Sequence, residues 1–89
     1  MIHDLKISPN HYYNVVAELK KAELRLNDRC FSVGDLVLLR VYETDKYSNE
    51  SVLVRITHIL KGGKYGLSKG YIMMSIELVT YEEWRALLC

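Results

Sequence analysis

The spacing of apolar positions predicts a strand followed by a helix at the start of the chain. In residues 2–7 (IHDLKI), His3, Leu5 and Ile7 alternate with Asp4 and Lys6, which is typical of a half-buried strand. Ser8 and Pro9 suit an N-cap and a first helical position. A helix is predicted from residue 9 to about residue 19 or 20, with a buried stripe of four apolar residues at helical spacing: Tyr12, Val15, Val16 and Leu19.

Four more strands and a second helix are predicted in the rest of the chain. The strands cover residues 22–26, 36–42, 51–60 and 71–79, and the apolar third strand (LVLLRVY) is expected to pack on both faces. Residues 44–50 read as a polar loop, and residues 61–70 as a loop rich in Gly. Thr80 and Glu83 have capping-box spacing and predict the start of a short final helix, which Trp84 is expected to dock on the sheet unless it forms part of an exposed partner surface.

The resulting order, β-α-β-β-β-β-α, indicates an α+β fold. About five short strands, with one helix after the first strand and one at the end, suggest a small curved sheet or β-barrel. A length of 89 residues predicts a single domain over residues 1–89.

Composition narrows the classes of function. The formal net charge is +1, from 12 basic and 11 acidic residues, which argues against binding of nucleic acid by charge alone but allows a locally basic pocket. No apolar run approaches the roughly 18 residues of a membrane span, and the N-terminus has no signal-peptide core, so a cytoplasmic protein is predicted. Cys30 and Cys89 are expected to stay reduced, and three scattered histidines give no metal-ligand spacing. Neither a metal nor a cofactor is predicted, and the sequence leaves the oligomeric state open.

Candidate chemistry centres on the second strand, AELRL. If its apolar residues point into the barrel, Glu23 and Arg25 share the outer face beside the helix end that carries Lys20. Arg offers a rigid fork of donors for a phosphate, a carboxylate or a guanine edge, Glu accepts from an exocyclic amine, and Lys adds a mobile positive charge. The same three side chains could instead only pair with one another on a solvated strand, and both interpretations stay open.

Two further groups are candidates for ligand binding. Arg29 lies just downstream of the second strand, and Lys64 and Tyr65 lie in the Gly-rich loop KGGKYGLSKG. Lysines interleaved with an aromatic ring suit single-stranded nucleic acid, although Gly and Lys are also ordinary residues of a hairpin loop. Asp28 and Asp35 are assigned to turns.

The segment KKAELRLNDRCFSVGD resembles the signature of the ASCH domain, a relative of the PUA domain. The usual form is G-x-K-x-x-E-x-R followed by a V-G-D turn. Lys20, Glu23 and Arg25 match the Lys, Glu and Arg, residues 33–35 match the turn, and Glu18 stands where the family has Gly. HDLKISP and GYIMMSIEL also resemble a subgroup of small bacterial and phage ASCH-like proteins.

The resemblance implies a PUA-like β-barrel with a cleft beside the first helix, and a role as an RNA-binding or nucleotide-binding module. Some relatives are amidohydrolases that act on acetylated cytidine with a Lys, a Thr and a distant Glu. Lys20 matches that Lys, but Glu23 occupies the Thr position and no carboxylate follows the fourth strand in the Gly-rich loop. A small amidohydrolase that uses Lys20 and Glu23 is therefore one alternative, and a structural or protein-interaction domain is another.

Overall fold

A computed structural model describes residues 1–88 of the chain, with side chains as far as Ala86. Five strands and two helices follow one another in the predicted order. The α+β class, the helix after the first strand and the short last helix are confirmed. The elements are β1 (Ile2–Ile7), α1 (Pro9–Val16), β2 (Ala22–Leu26), β3 (Leu36–Glu43), β4 (Lys46–Lys61), β5 (Tyr71–Leu78) and α2 (Tyr81–Leu88).

All five strands form one curled sheet in the order β1-β3-β4-β5-β2. β1 runs parallel to β3, and the other neighbouring pairs are antiparallel. The register shifts between Arg40 and Tyr42 in β3 and between Ile56 and His58 in β4, and irregularities of this kind bend a sheet. The sheet is a half-barrel whose two edge strands, β1 and β2, face each other across a gap without backbone pairing, which we call the seam.

The core lies on the concave face of the half-barrel. Alternate residues of β1, β3, β4 and β5 point inward, and those on the outer face of β3 are half-buried. Val15 of α1 and Phe31 of the β2–β3 loop cover the concave face. The buried strand residues are Leu5, Ile7, Val37, Leu39, Val41, Val54, Ile56, Ile72, Met74 and Ile76.

Helix α1 ends at Val16, three to four residues earlier than predicted. Glu18 has φ = 60°, and the chain reverses there because the Leu19 N–H donates to Asn14 O at 2.9 Å and the Glu18 N–H donates to Val15 O at 3.0 Å. This is a Schellman motif, which usually has Gly at the left-handed position. The predicted stripe is consequently wrong in part, since Val16 is 45% exposed and Leu19 is 78% exposed.

The predicted polar loop over residues 44–50 is also wrong. β3 and β4 form a tight hairpin, with Glu43 paired to Lys46 and with Thr44 and Asp45 at φ = 54° and 60°. Two consecutive residues at positive φ make a primed turn, which sequence identifies mainly when Asn or Gly occupies it. A β-branched Thr hides that signal, so β4 begins five residues before its predicted start.

Helix α2 begins with the predicted capping box. The Glu83 N–H donates to Thr80 Oγ1 at 3.1 Å, and the Thr80 N–H donates to Glu83 Oε1 at 3.4 Å. Arg55 of β4 ties the helix to the sheet through Glu83 Oε2 at 2.5 Å, while Trp84 stays 40% exposed. Cys30 is an exposed free thiol, and Cys89 lies outside the described residues. Neither α1 nor α2 is long and apolar enough to cross a bilayer.

Candidate functional site

The two faces of β2 are the reverse of the prediction. Glu23 is only 7% exposed, whereas Leu24 and Leu26 are 56% and 50% exposed. Glu23 lies opposite the buried Met74 of β5, and directly opposed residues of an antiparallel pair point to the same side of the sheet. The strand therefore turns its charged side chains toward the concave face and its leucines outward. Burial of a carboxylate is tolerated only when other groups compensate its charge.

Lys20 and Arg25 compensate the charge of Glu23. Lys20 Nζ donates to Glu23 Oε1 and to the carbonyl of Ala22, and Arg25 Nε donates to Glu23 Oε2 at 2.7 Å. Each carboxylate oxygen thus accepts from a different cation. The three side chains, which we call the β2 triad, carry a net charge of +1. Lys20 and Arg25 remain 23% and 27% exposed, so both cations keep contact with solvent.

Two arginines bridge the seam. Arg25 Nη2 donates to the carbonyl of Lys6 at 2.5 Å, and Arg29 Nη1 donates to the carbonyl of Asp4 at 2.8 Å. Because β1 pairs with β3 on its other side, these two carbonyls point toward the seam, where the backbone of β2 does not pair with them. Arg29, predicted as a ligand-binding residue, thus holds the edge of β1 in this structure.

A cleft of about 490 Å³ opens between α1 and the edge of β2. Its volume lies within the range of roughly 300–1,000 Å³ that is common for small-molecule sites. The β2 triad supplies its charged wall, while Leu24 and Met73 supply an apolar one. We call it the β2 cleft, and its lining includes His11, Lys20, Glu23, Leu24, Arg25 and Met73. A neighbouring cavity of about 130 Å³ shares Lys20 with the cleft as a lining residue and is also bordered by Glu18.

The structure separates the other predicted residues from this cleft. Lys64 and Tyr65 lie in the β4–β5 loop, do not line the β2 cleft, and are exposed, Tyr65 by 84%. The loop adjoins the opposite end of β2, where the Asn27 N–H donates to Gly70 O at 2.8 Å. Only Lys20, Glu23 and Arg25 of the six predicted residues are therefore brought together.

Four residues that line the β2 cleft were not predicted as site residues: His11, Ala22, Leu24 and Met73. His11 is one of the three histidines without metal-ligand spacing, Ala22 and Leu24 are expected from the sequence to point into the barrel, and nothing in the sequence assigns a role in binding to Met73. If Glu23 is taken to point inward, Leu24 and its partner Met73 must lie together on the outer side of the sheet. That orientation would have identified both residues. The spacing of His11 within α1 carries no such signal.

A second polar pair, formed by the buried His3 and the partly exposed Asp35, lies at the start of the half-barrel. His3 is 5% exposed, packs against the ring of Phe31 at 4.6 Å, and donates from Nε2 to Asp35 Oδ2 at 2.8 Å. Asp35 also accepts from the Ser32 N–H at 3.1 Å in the turn where Gly34 has φ = 94°. The hydrogen bond from His3, helped by the one from Ser32, lowers the pKa of Asp35. The V-G-D turn therefore anchors β1, in agreement with the turn assigned to Asp35.

Metal-binding clusters are absent from the described part of the chain, in which no three His, Cys, Asp or Glu residues could hold an ion together. The cleft instead offers positive donors, one buried acceptor and an apolar wall. This combination is suited to a ligand that has both an anionic or carbonyl group and a flat apolar surface.

Comparisons with known proteins give a family and a fold. The family described as "Domain of unknown function (DUF3850)" matches residues 2–76, a stretch that includes both strands of the seam and the whole β2 triad. The crystal structure of hypothetical protein PH0355 superposes with a TM-score of 0.65 at 16% identity, covering 89% of this chain and 100% of that one. At this identity the likeness supports the fold alone. No curated protein matches the chain.

Proposed function

The chain belongs to the DUF3850 family, and we propose that it is a binding module for RNA or a nucleotide-like ligand, which it holds in the β2 cleft. We further propose that its half-barrel is related to ASCH and PUA-like domains, on the strength of the spacing of Lys20, Glu23 and Arg25. Neither comparison names those domains. The cytoplasmic location remains part of this proposal, as a prediction from the sequence.

The observation that carries the proposal is that only some of the hydrogen-bond donors of Arg25 are used within the protein. Its Nε donates to Glu23 and its Nη2 to the carbonyl of Lys6, while no bond within residues 1–88 uses Nη1. A guanidinium has five N–H donors, so Arg25 can donate to a phosphate or a base while it still bridges the seam. The cation is already oriented by two bonds, which reduces the entropy that a ligand must offset on binding.

Glu23 adds a reason to expect a base as well as a phosphate. Each oxygen of the carboxylate accepts one hydrogen bond in the triad, and each can accept another. An exocyclic amine, as on cytosine or adenine, is a group in nucleotides that can supply it. A simple anion would be attracted by Arg25 and Lys20 and repelled by Glu23, so it would use only part of the β2 triad.

Titration of labelled short single-stranded RNA and of nucleoside monophosphates, followed by fluorescence anisotropy and NMR, tests the proposal. Arg25→Ala should weaken binding at least about tenfold, the usual effect of losing a charged hydrogen bond. Arg85→Ala is the matched control, because it removes the same charge from the exposed surface of α2. Equal, weak binding by both variants that disappears at moderate salt would contradict the proposal. Circular dichroism of each variant verifies that the fold is kept.

The alternative of a small amidohydrolase has less support from the geometry. Lys20 Nζ donates to the Glu23 carboxylate and to the carbonyl of Ala22, so the two candidate catalytic groups are bonded to each other instead of being free to act on a substrate. Incubation with N4-acetylcytidine tests the alternative, with release of cytidine above a Lys20→Ala control as the result in its favour. A structural or protein-interaction role would be favoured if no RNA, nucleotide or acylated nucleoside binds.

A further inference from the structure

The edge of β2 that faces the seam carries unpaired backbone groups. β2 bonds to β5 through its odd-numbered positions, as shown by the Ile76 N–H to Lys21 O and the Asn27 N–H to Gly70 O, at 3.0 and 2.8 Å. Because the direction of backbone groups alternates along a strand, the even-numbered residues point their N–H and C=O toward the seam. These residues are Ala22, Leu24 and Leu26.

Only Leu24 keeps both a donor and an acceptor available at this edge. The carbonyl of Ala22 accepts from Lys20 Nζ, and the carbonyl of Leu26 accepts from the Asp28 N–H at 2.9 Å. In the part of the chain that the structure describes, neither backbone group of Leu24 has a partner. Leu24 lies in the wall of the β2 cleft, so its backbone groups border the space where a ligand would sit.

The end of β1 leaves the backbone groups of Leu24 facing the β2 cleft, with no part of β1 opposite them. Arg25 bonds to the carbonyl of Lys6, and Arg29 bonds to that of Asp4. The two strands therefore run in opposite directions across the seam. β1 ends at Ile7. Leu24 therefore lies at or beyond the end of β1, where His11 of α1 forms the other side of the cleft.

We infer that the N–H and C=O of Leu24 form a pair of hydrogen bonds with the edge of a nucleobase, whose phosphate is held by Lys20 and Arg25. This inference rests on the proposed function and assigns the part of the ligand that is recognised. Adenine and cytosine each present an amino donor next to a ring-nitrogen acceptor, which complements one backbone C=O and N–H. An added peptide strand would need both the N–H and the C=O free on at least two alternate residues of this edge, and only Leu24 offers both.

Amide hydrogen exchange in the ¹⁵N-labelled protein tests the inference without any substitution. AMP or CMP at saturation should slow the exchange of the Leu24 amide at least about tenfold, as expected for a newly bonded N–H. The amides of Glu23 and Arg25 face β5 and should not change. Ribose 5-phosphate, which has the phosphate but no base, should shift the resonances of Lys20 and Arg25 and leave the exchange of Leu24 unchanged.

Two variants separate the backbone of Leu24 from its side chain. Leu24→Pro deletes the N–H at an edge position, where proline is tolerated, and Leu24→Ala keeps it. We expect Leu24→Pro to bind AMP and CMP about five- to tenfold more weakly than Leu24→Ala, and to bind ribose 5-phosphate equally. If Leu24→Pro does not fold, the exchange measurement on the unmodified chain decides alone.

The outcomes distinguish this inference from the proposed function. If AMP or CMP shifts the resonances of Lys20 and Arg25 while the exchange of Leu24 stays the same, the recognition of the base edge is overturned and the binding site remains. If neither nucleotide perturbs any residue of the β2 cleft and RNA does not bind, both the inference and the proposed function are overturned.

Discussion

Removal of the Glu23 carboxylate is the sharpest test of how β2 is held on the concave face. Glu23→Ala leaves Lys20 and Arg25 side by side with no charge between them, and Arg25 loses one of the two bonds that aim it across the seam. The variant should therefore lower the free energy of unfolding, even though alanine is smaller and apolar and would suit a buried position by composition alone.

The expected loss follows from the exposure of the two cations. Removing one partner of a fully buried ion pair costs about 3–5 kcal/mol, because the other charge is left uncompensated. Lys20 and Arg25 are 23% and 27% exposed, so water recovers part of that cost. We expect a loss of about 2 kcal/mol, and hence a fall in Tm of about 8–16 °C for a domain of this size. Glu23→Gln, which keeps the shape and one acceptor, should lose less.

Urea unfolding followed by circular dichroism measures this loss, with an unchanged m-value as the condition for a two-state comparison. Glu77→Ala is the matched control, since Glu77 is 56% exposed in its pair with Arg55 at 3.3 Å and should contribute far less. Equal midpoints for Glu23→Ala and Glu77→Ala would refute the reasoning, because they would show that the β2 triad behaves as a solvated surface cluster.

Three further predictions concern stability. Glu18→Gly should raise the free energy of unfolding by about 1 kcal/mol, since Glu18 sits at φ = 60°, and a thermal melt without a rise in Tm would contradict this. Gly62→Ala should cost about 2 kcal/mol or more, because an added Cβ would lie 1.9 Å from the carbonyl oxygen of Ser68, and wild-type stability in urea would show that the loop is not closed there. Below about pH 4 the wild type should lose stability as Asp35, whose pKa is lowered in the folded state, takes up a proton; a pH series on Asp35→Asn should lack this part of the loss, and parallel profiles would exclude it.

The sequence predicts the elements well where one local signal is enough. Proline at the first helical position locates the start of α1, and the spacing of Thr80 and Glu83 locates the start of α2. The predictions for the end of α1 and for the loop between β3 and β4 were wrong for one shared reason. Both use residues at positive φ that carry side chains, Glu18 at the first and Thr44 and Asp45 at the second, so the usual Gly or Asn signal is missing.

The candidate site was predicted by residue but not by orientation. Apolar alternation along residues 22–26 assigns the leucines to the core, and this rule fails when charged side chains compensate one another. The pairing of Glu23 with both Lys20 and Arg25 depends on the tertiary structure, because the reversal of the chain at Glu18 sets the position of Lys20. Neither the bridge from Arg29 to the carbonyl of Asp4 nor the wall contributed by His11 could be predicted from local spacing.

The inverted orientation of β2 explains why arginine is suited to position 25. The side chain has to bond Glu23, reach the carbonyl of Lys6 across the seam, and still present donors to the β2 cleft. A planar guanidinium can direct its five N–H groups to three different partners, whereas an ammonium is a single compact charge. Closure of the half-barrel and recognition of a ligand would then depend on the same side chain. A ligand that engages only the uncommitted Nη1 can bind while the seam stays closed, whereas one that needs Nη2 must compete with the backbone of β1.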